Sequence, residues 1–438
     1  MSSSTAALNP DRQRGLSYLK LVLLGAAIGI PAALLATLFL AVVHWLEHLL
    51  WTDLPTALGA DTPPWYLVVG LPALGGLIVG LARFLLPGDG GHSPLEGIRG
   101  GATPISHAPG IALAALGTLA FGAVLGPEAP LIALGSVVGV ALVPLVKVDT
   151  QGEKVLATAG SFSAISALFG GPLVAGIILL EAGLAAGSAL LPALLPGLAA
   201  AAVGYLLFVG IGGWTGLTAT SLAVPDLPVY DTTRIADLLL AIVVGVVASL
   251  LMTVVKRAAH SLDRVASANS RRGFAMLVLG GLVVGIVALV AQGLGADYQQ
   301  VLFSGQSGLP DTLGETSIVM LLVIMAAKAI AYTICMGTGF RGGPVFPAIF
   351  LGTSLAMVTA LLAGSSTTWA LAVGAAAGMT AGTGMVFSAL LFAGLLTGTA
   401  GLDAAPAAVL AVLAAWLTNA ALKRRSTPAE QTGETARA

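Results

Sequence analysis

Glu128 stands between two prolines, in Gly126-Pro127-Glu128-Ala129-Pro130, inside an otherwise apolar run over residues 111–146. A carboxylate at the centre of a membrane helix costs about 2.5–3.5 kcal/mol on insertion scales, so an acid in such a run points to function. Pro127 and Pro130 lack an N–H and fix φ, which prevents one continuous helix and predicts a restart near Ala129 or Pro130. A restart places free amide N–H groups, and the positive end of a helix dipole, beside the carboxylate. That is a place for one negative charge: the Glu128 carboxylate, or a mobile anion in its stead.

The motif occurs twice. Residues 126–136 match residues 343–353 as G-P-x-x-P-x-x-x-L-G-[S/T], 217 residues apart, and Ala175-Gly176-Ile177-Ile178 is echoed by Ala393-Gly394-Leu395-Leu396. Only the first copy carries an acid; the second reads Gly343-Pro344-Val345-Phe346-Pro347. Gly and Pro often recur in membrane helices to permit close packing and kinks, and one copy would fit that explanation. Two copies sharing six positions point to duplication and an anion pathway.

The elements that must carry these residues follow from composition. The chain has 438 residues, 57% of them hydrophobic and 9% charged, with a mean hydropathy of +0.97. That much apolar surface predicts an all-α polytopic membrane protein, and 57 Gly and 23 Pro suit tilted and broken helices. The alternation of a membrane β-barrel is missing. A net charge of −1 with scattered basic residues excludes a nucleic-acid partner. Cys335, the single cysteine, reads as a small buried hydrophobe.

Positive charge in short loops marks the cytoplasmic side. On that rule residues 1–20 form a cytoplasmic N-terminal segment followed by a retained first helix. Residues 21–255 form a first membrane half, with its opening run broken at Pro31. Residues 256–272, with Lys256, Arg257, Arg264, Arg271 and Arg272, form a basic cytoplasmic loop. Residues 273–422 form a second membrane half, and 423–438 a cytoplasmic tail. The first broken helix pair starts and ends inside and the second starts and ends outside. The repeats are therefore inverted, an arrangement that aims half-helix N-termini at a site near the midplane.

GPEAP at 126–130 and GGPVFP at 342–347 resemble the motifs of the CLC chloride channel and transporter family, G-R-E-G-P and G-G-x-F-x-P. The resemblance extends over most of the chain, including Phe169-Gly170-Gly171-Pro172-Leu173. It implies an inverted-repeat bundle in a bacterial-type plasma membrane, a homodimer with one pathway per subunit, and a small inorganic anion such as chloride as cargo. It also implies Glu128 as the gate, with Gly126, Ala129, Pro130, Leu131, Gly343, Val345 and Phe346 around the anion. Gly90-Gly91-His92-Ser93-Pro94 stands for the family's G-S-G-x-P, which makes Ser93 a hydroxyl donor. The family's late tyrosine has no counterpart, since no Tyr follows Tyr332. Ala182 occupies the position of the internal glutamate that exchanging members use to hand protons inward. Anion movement weakly coupled or uncoupled to protons is the resulting expectation, and a proton-coupled exchanger is the alternative.

Other ionisable residues have plainer readings. His92 and Glu96 sit in a Gly-rich loop with no ligand set for a metal. His44, Glu47 and His48 read as interfacial polar residues. Arg341 stands either as an attractor of anions or as a side chain reaching a wet vestibule, and Lys328 poses the same question. An intramembrane enzyme would need a nucleophile and base in the bundle, and neither a G-x-x-x-x-G-K-[S/T] loop nor an H-E-x-x-H pair occurs. No cofactor or metal is implied.

Overall fold

Proline and glycine decide where the helices start and stop. The computed structural model describes residues 10–98, 100–183, 191–209 and 222–426. Arg99, the end of the apolar run expected to reach Gly212, the first nine residues and the tail from residue 427 lie outside them. The first half runs through α1 (Pro10–His48), α2 (Leu54–Ala57), α3 (Trp65–Leu85), α4 (Ala108–Leu119), α5 (Glu128–Val146), α6 (Thr150–Phe169), α7 (Pro172–Gly183) and α8 (Leu191–Val209). The second runs through α9 (Ile235–Ala266), α10 (Ser270–Gly293), α11 (Tyr298–Val301), α12 (Leu309–Leu313), α13 (Ile318–Thr338), α14 (Val345–Ala363), α15 (Thr367–Thr383), α16 (Phe387–Thr397) and α17 (Ala405–Ser426). Among the described residues eight helical segments are long and apolar enough to cross a membrane.

Pro31 does not break α1, contrary to the sequence expectation; the helix continues through it. Membrane helices tolerate such a proline when a neighbour supports the weakened ladder. Here Gly25 and Gly29 let α1 lie directly on the backbone of α8 at Pro196 and Ala200.

The internal repeat reaches further in the structure than in the sequence. Helices α5 and α14 each have 19 residues, and their first residues are 217 apart. Each follows a proline in the same backbone conformation, Pro127 at φ −81°, ψ −3° and Pro344 at φ −90°, ψ −3°. Each ends at a left-handed residue, Lys147 and Gly364, and the next helix starts behind a side-chain cap, Asp149 for α6 and Ser366 for α15. None of these four residues matches its equivalent in type. The backbone requirement persists where the residue identity has drifted.

The two copies meet at their matching glycines. Gly126 donates its N–H to the Gly343 carbonyl at 2.8 Å, and Gly343 returns the bond to Gly126 at 2.6 Å, as an isolated antiparallel bridge. Equivalent residues that exchange bonds reciprocally are related by a local two-fold. The chains cross it in opposite directions, as inverted repeats require. Within each copy the helix after the bridge packs backbone to backbone on the next: a Cβ at Gly135 would lie 2.5 Å from the Gly160 carbonyl oxygen, and one at Gly374 2.6 Å from that of Gly352. Small residues allow this approach, which is how helices associate tightly in a bilayer.

Candidate functional site

The glycine bridge brings the N-termini of α5 and α14 face to face with Glu128 between them. Glu128 is fully buried, and its Oε1 accepts hydrogen bonds from the N–H groups of Val345 at 3.1 Å and Phe346 at 3.2 Å. These are the first amides of α14, which have no partner within their own helix. The carboxylate of one repeat therefore occupies the N-terminal donors of the other. The sequence reading placed the competing donors at Ala129 to Leu131. Pro130 has no N–H and the Leu131 N–H bonds the Pro127 carbonyl at 3.1 Å, so the carboxylate instead crosses the two-fold to α14.

Glu128 Oε2 is buried with no hydrogen-bond partner among the described residues. It lies over the bridge, where a Cβ on Gly343 would stand 2.5 Å from the carboxylate carbon and one on Gly126 2.6 Å from Oε1. Only glycine leaves room for a carboxylate, or an anion, to rest on this backbone. Both glycines of the motif are thus explained by close approach.

The site is braced from behind. Tyr332 on α13 donates its hydroxyl to the Pro344 carbonyl at 3.0 Å, and the Val124 N–H bonds Cys335 Sγ at 3.2 Å. Lys328, one turn before Tyr332, is fully buried and donates to the carbonyls of Leu302 at 2.7 Å and Phe303 at 3.0 Å, with its ammonium 4.7 Å above the Phe350 ring. Lys328 therefore holds the turn after α11, where Phe303 takes the left-handed φ of 60°. Phe303 in turn donates its N–H to the Gly122 carbonyl, and Trp51 Nε1 bonds Ala120 at 3.0 Å. The loop 120–126 is fixed by the Trp51 and Cys335 side chains and by the Phe303 backbone. On the far side the rings of Phe169, Phe346 and Phe392 pack together, with centroids 4.6–6.3 Å apart.

A cavity of about 290 Å³ leads to this point, with Pro127 and Leu125 on its wall and Ser304, Gln306 and Ser307 opposite a flank of α1. His44 and Glu47 line it. They face a vestibule, which the reading of interfacial polar residues missed. Their i, i+3 spacing, which puts both on one helix face, was the available signal.

Other expected residues lie elsewhere or do other work. Ser93 caps the single turn Pro94–Glu96, accepting the Leu95 N–H at 3.4 Å, and has no hydrogen bond to Glu128, Val345 or Phe346. Arg341 is buried and bound to Asp89 through Nη2 to the carboxylate and through Nε to the carbonyl at 2.9 Å. Arg83 takes the other carboxylate oxygen at 2.8 Å and also reaches the Gly339 carbonyl at 3.0 Å. The sequence reading did not weigh Asp89; its charge serves two guanidinium groups and ties the 86–97 loop to the approach of α14. Ala182 is half-buried and adjoins Glu181. The Glu181 carboxylate takes the N–H groups of Val386 and Phe387 at 2.9 Å and of Ser388 at 2.7 Å, at the start of α16.

Residues 92–419 match the family described as Voltage gated chloride channel. The chain belongs to that family. It is 32% identical over 361 residues, 79% of this chain and 80% of the relative, to the "Putative ion-transport protein YfeO" of Escherichia coli (strain 55989 / EAEC). The protein of the same name from Shigella boydii serotype 18 (strain CDC 3083-94 / BS512) is 31% identical over the same shares. The fold resembles a slow cyanobacterial Cl-/H+ antiporter, with a TM-score of 0.72, 17% identity, and 95% of this chain and 96% of that one covered. It also resembles a CLC-type fluoride/proton antiporter, with a TM-score of 0.65, 19% identity, and 92% and 96% covered. This family member is an integral membrane protein for anion transport, and the inverted-repeat fold implied by its two motifs is the fold it adopts.

Proposed function

We propose that this CLC protein passes a small inorganic anion, of the chloride type, between the N-termini of α5 and α14, with Glu128 as the gate. The observation that carries this is the Glu128 carboxylate on the Val345 and Phe346 amides, beneath a cavity that ends at Pro127. An anion needs those donors and the ionised side chain already holds them, so occupancy by one excludes the other. Gly126, Gly343 and the first turn of α5 at Ala129, Pro130 and Leu131 form the rest of the seat; Ser93 contributes at most to an inner approach. Protonation removes the charge on Glu128 and loosens its hold, so flux rises as pH falls.

Coupling to protons is weak or absent in this reading. Ala182 cannot carry a proton, and the neighbouring Glu181 is committed as a cap with three backbone donors. Proton-coupled exchange is the second reading, because two structural neighbours are antiporters. The protein acts as a homodimer with both termini and the basic 256–272 segment in the cytoplasm. Chloride flux in liposomes at acidic and neutral pH, for wild type and Glu128→Gln, tests the gate. Wild type should rise with acid and Glu128→Gln should be high at both; equal pH dependence in the two proteins would remove Glu128 from that role. Uphill proton movement at fixed stoichiometry on a chloride gradient would establish the exchanger.

A further inference from the structure

A second cavity, of about 330 Å³, lies away from the anion pathway, between the last third of α9, the end of α15 and the end of α17. Lys256, Arg257, His260 and Lys423 line it, and no Asp or Glu does. Lys256 and His260 are one helical turn apart, and Lys423 reaches across from α17 to act on Lys256 electrostatically. An anion held between the Lys256 and Lys423 ammonium groups lowers their mutual repulsion. Lys256 and Arg257 have donors to spare. Lys256 Nζ makes one long bond, 3.4 Å, to the Ala381 carbonyl, and Asn419 supplies the Thr380 and Ala381 carbonyls at 3.3 Å each. Among the described residues the Arg257 guanidinium makes no hydrogen bond or ion pair.

A second feature is independent of the charges. On α9 the exposed residues Val247, Leu250 and Val254 form a stripe that continues, at helical spacing, to Arg257; on α17 Val409, Leu413 and Trp416 form one that continues to Lys423. Two outward apolar stripes thus end at two walls of one basic cavity. A free anion has no use for the stripes. An amphiphile with a phosphate head does.

We propose that this cavity binds a phosphate group, that of an anionic phospholipid whose acyl chains lie along the stripes of α9 and α17. Lys256, Arg257 and Lys423 hold the phosphate oxygens, and Asn419 keeps the end of α15 in place as the floor. Basic pockets between membrane helices on the cytoplasmic side take anionic headgroups in this way, and each Lys or Arg near such a surface strengthens binding. Ligand held by the folded protein and not by the unfolded chain raises its apparent stability.

The test is thermal unfolding of the full chain in detergent with short-chain phosphatidylglycerol, short-chain phosphatidylcholine or inorganic phosphate added. It is repeated on Arg257→Gln/Lys423→Gln and, because that pair could fold poorly, on Arg257→Gln alone. Phosphatidylglycerol should raise Tm by several degrees over phosphatidylcholine, and the substitutions should shrink that difference without lowering Tm in phosphatidylcholine to the same extent. Stabilisation by inorganic phosphate as strong as that by phosphatidylglycerol, lost in the same variants, would keep the phosphate site and assign it to a soluble ligand. No difference between the two lipids together with no effect of phosphate, or a difference unchanged in both variants, overturns the proposal.

Discussion

Removing the Glu128 carboxylate in two steps should raise anion affinity in two steps. The ionised side chain holds two backbone donors, and hydrogen bonds to a charged group contribute about 1.5–3 kcal/mol each. At 3.1 and 3.2 Å they are longer than the ~2.7–2.9 Å usual for charge-assisted bonds, so the lower value applies and the pair is worth about 3 kcal/mol. An anion must displace this, so its apparent affinity falls by a factor of about 100, at 1.4 kcal/mol per tenfold. Glu128→Ala should recover all of it. Glu128→Gln keeps two neutral bonds, together about 1 kcal/mol, and should recover about 30-fold. The assay is calorimetric titration of chloride into the three detergent-solubilised proteins at alkaline pH, where wild type is ionised. The expected order of affinity is Ala, then Gln, then wild type, with the gap narrowing as pH falls and wild type approaches Gln. Equal affinities in all three, or wild type the tightest, would refute the competition.

Three further outcomes follow from the same geometry. Gly343→Ala fills the seat itself, with a methyl 2.5 Å from the carboxylate carbon, so it should abolish chloride flux at acidic and neutral pH alike, opposite to Glu128→Gln; flux assays on both variants compare them. Trp51→Phe keeps the ring stacked near Tyr298, at 5.5 Å, but deprives the buried Ala120 carbonyl of its donor, so Tm should drop by an amount equivalent to about 1–3 kcal/mol. Glu181→Gln weakens the cap on α16 and should cost about 0.5–2 kcal/mol of stability while leaving the ratio of protons to anions moved unchanged; a changed ratio would make Glu181 part of a proton path.

Much of the fold was legible because membrane insertion leaves coarse marks. Glycine and proline must recur wherever broken helices pair, so the six shared positions at 126–136 and 343–353 exposed the repeat, and basic loops exposed its inversion. What stayed hidden is what only backbone geometry conserves. Lys147 and Gly364 share a left-handed cap, and Asp149 and Ser366 a capping role, with no common residue type. Pro31 misled because its cost depends on a neighbour, α8, that local sequence does not reveal. The identity of the Glu128 donors was hidden for the same reason, since a carboxylate at one helix N-terminus was bound to be assigned the nearest amides.

The crossing of Glu128 to α14 ties the duplication to the proposed gate. With the acid in one copy and the open donors in the other, closing the seat requires both repeats, and the reciprocal Gly126–Gly343 bridge fixes their separation. A carboxylate bonded to its own helix would be a local cap, released at no consequence to the partner helix. Placed across the two-fold, it holds the α14 amides more strongly when ionised than when neutral. The bracing residues serve this distance: Tyr332 holds the Pro344 carbonyl just before the donors, Cys335 holds Val124 just before the bridge, and both stand on one face of α13. That face also carries Lys328, whose ammonium fixes the turn that walls the cavity beside Pro127. One buried polar face of a single helix therefore sets the carboxylate, its donors and the approach to them, and for that reason α13 can carry a lysine, a tyrosine and a cysteine in a run that is otherwise apolar.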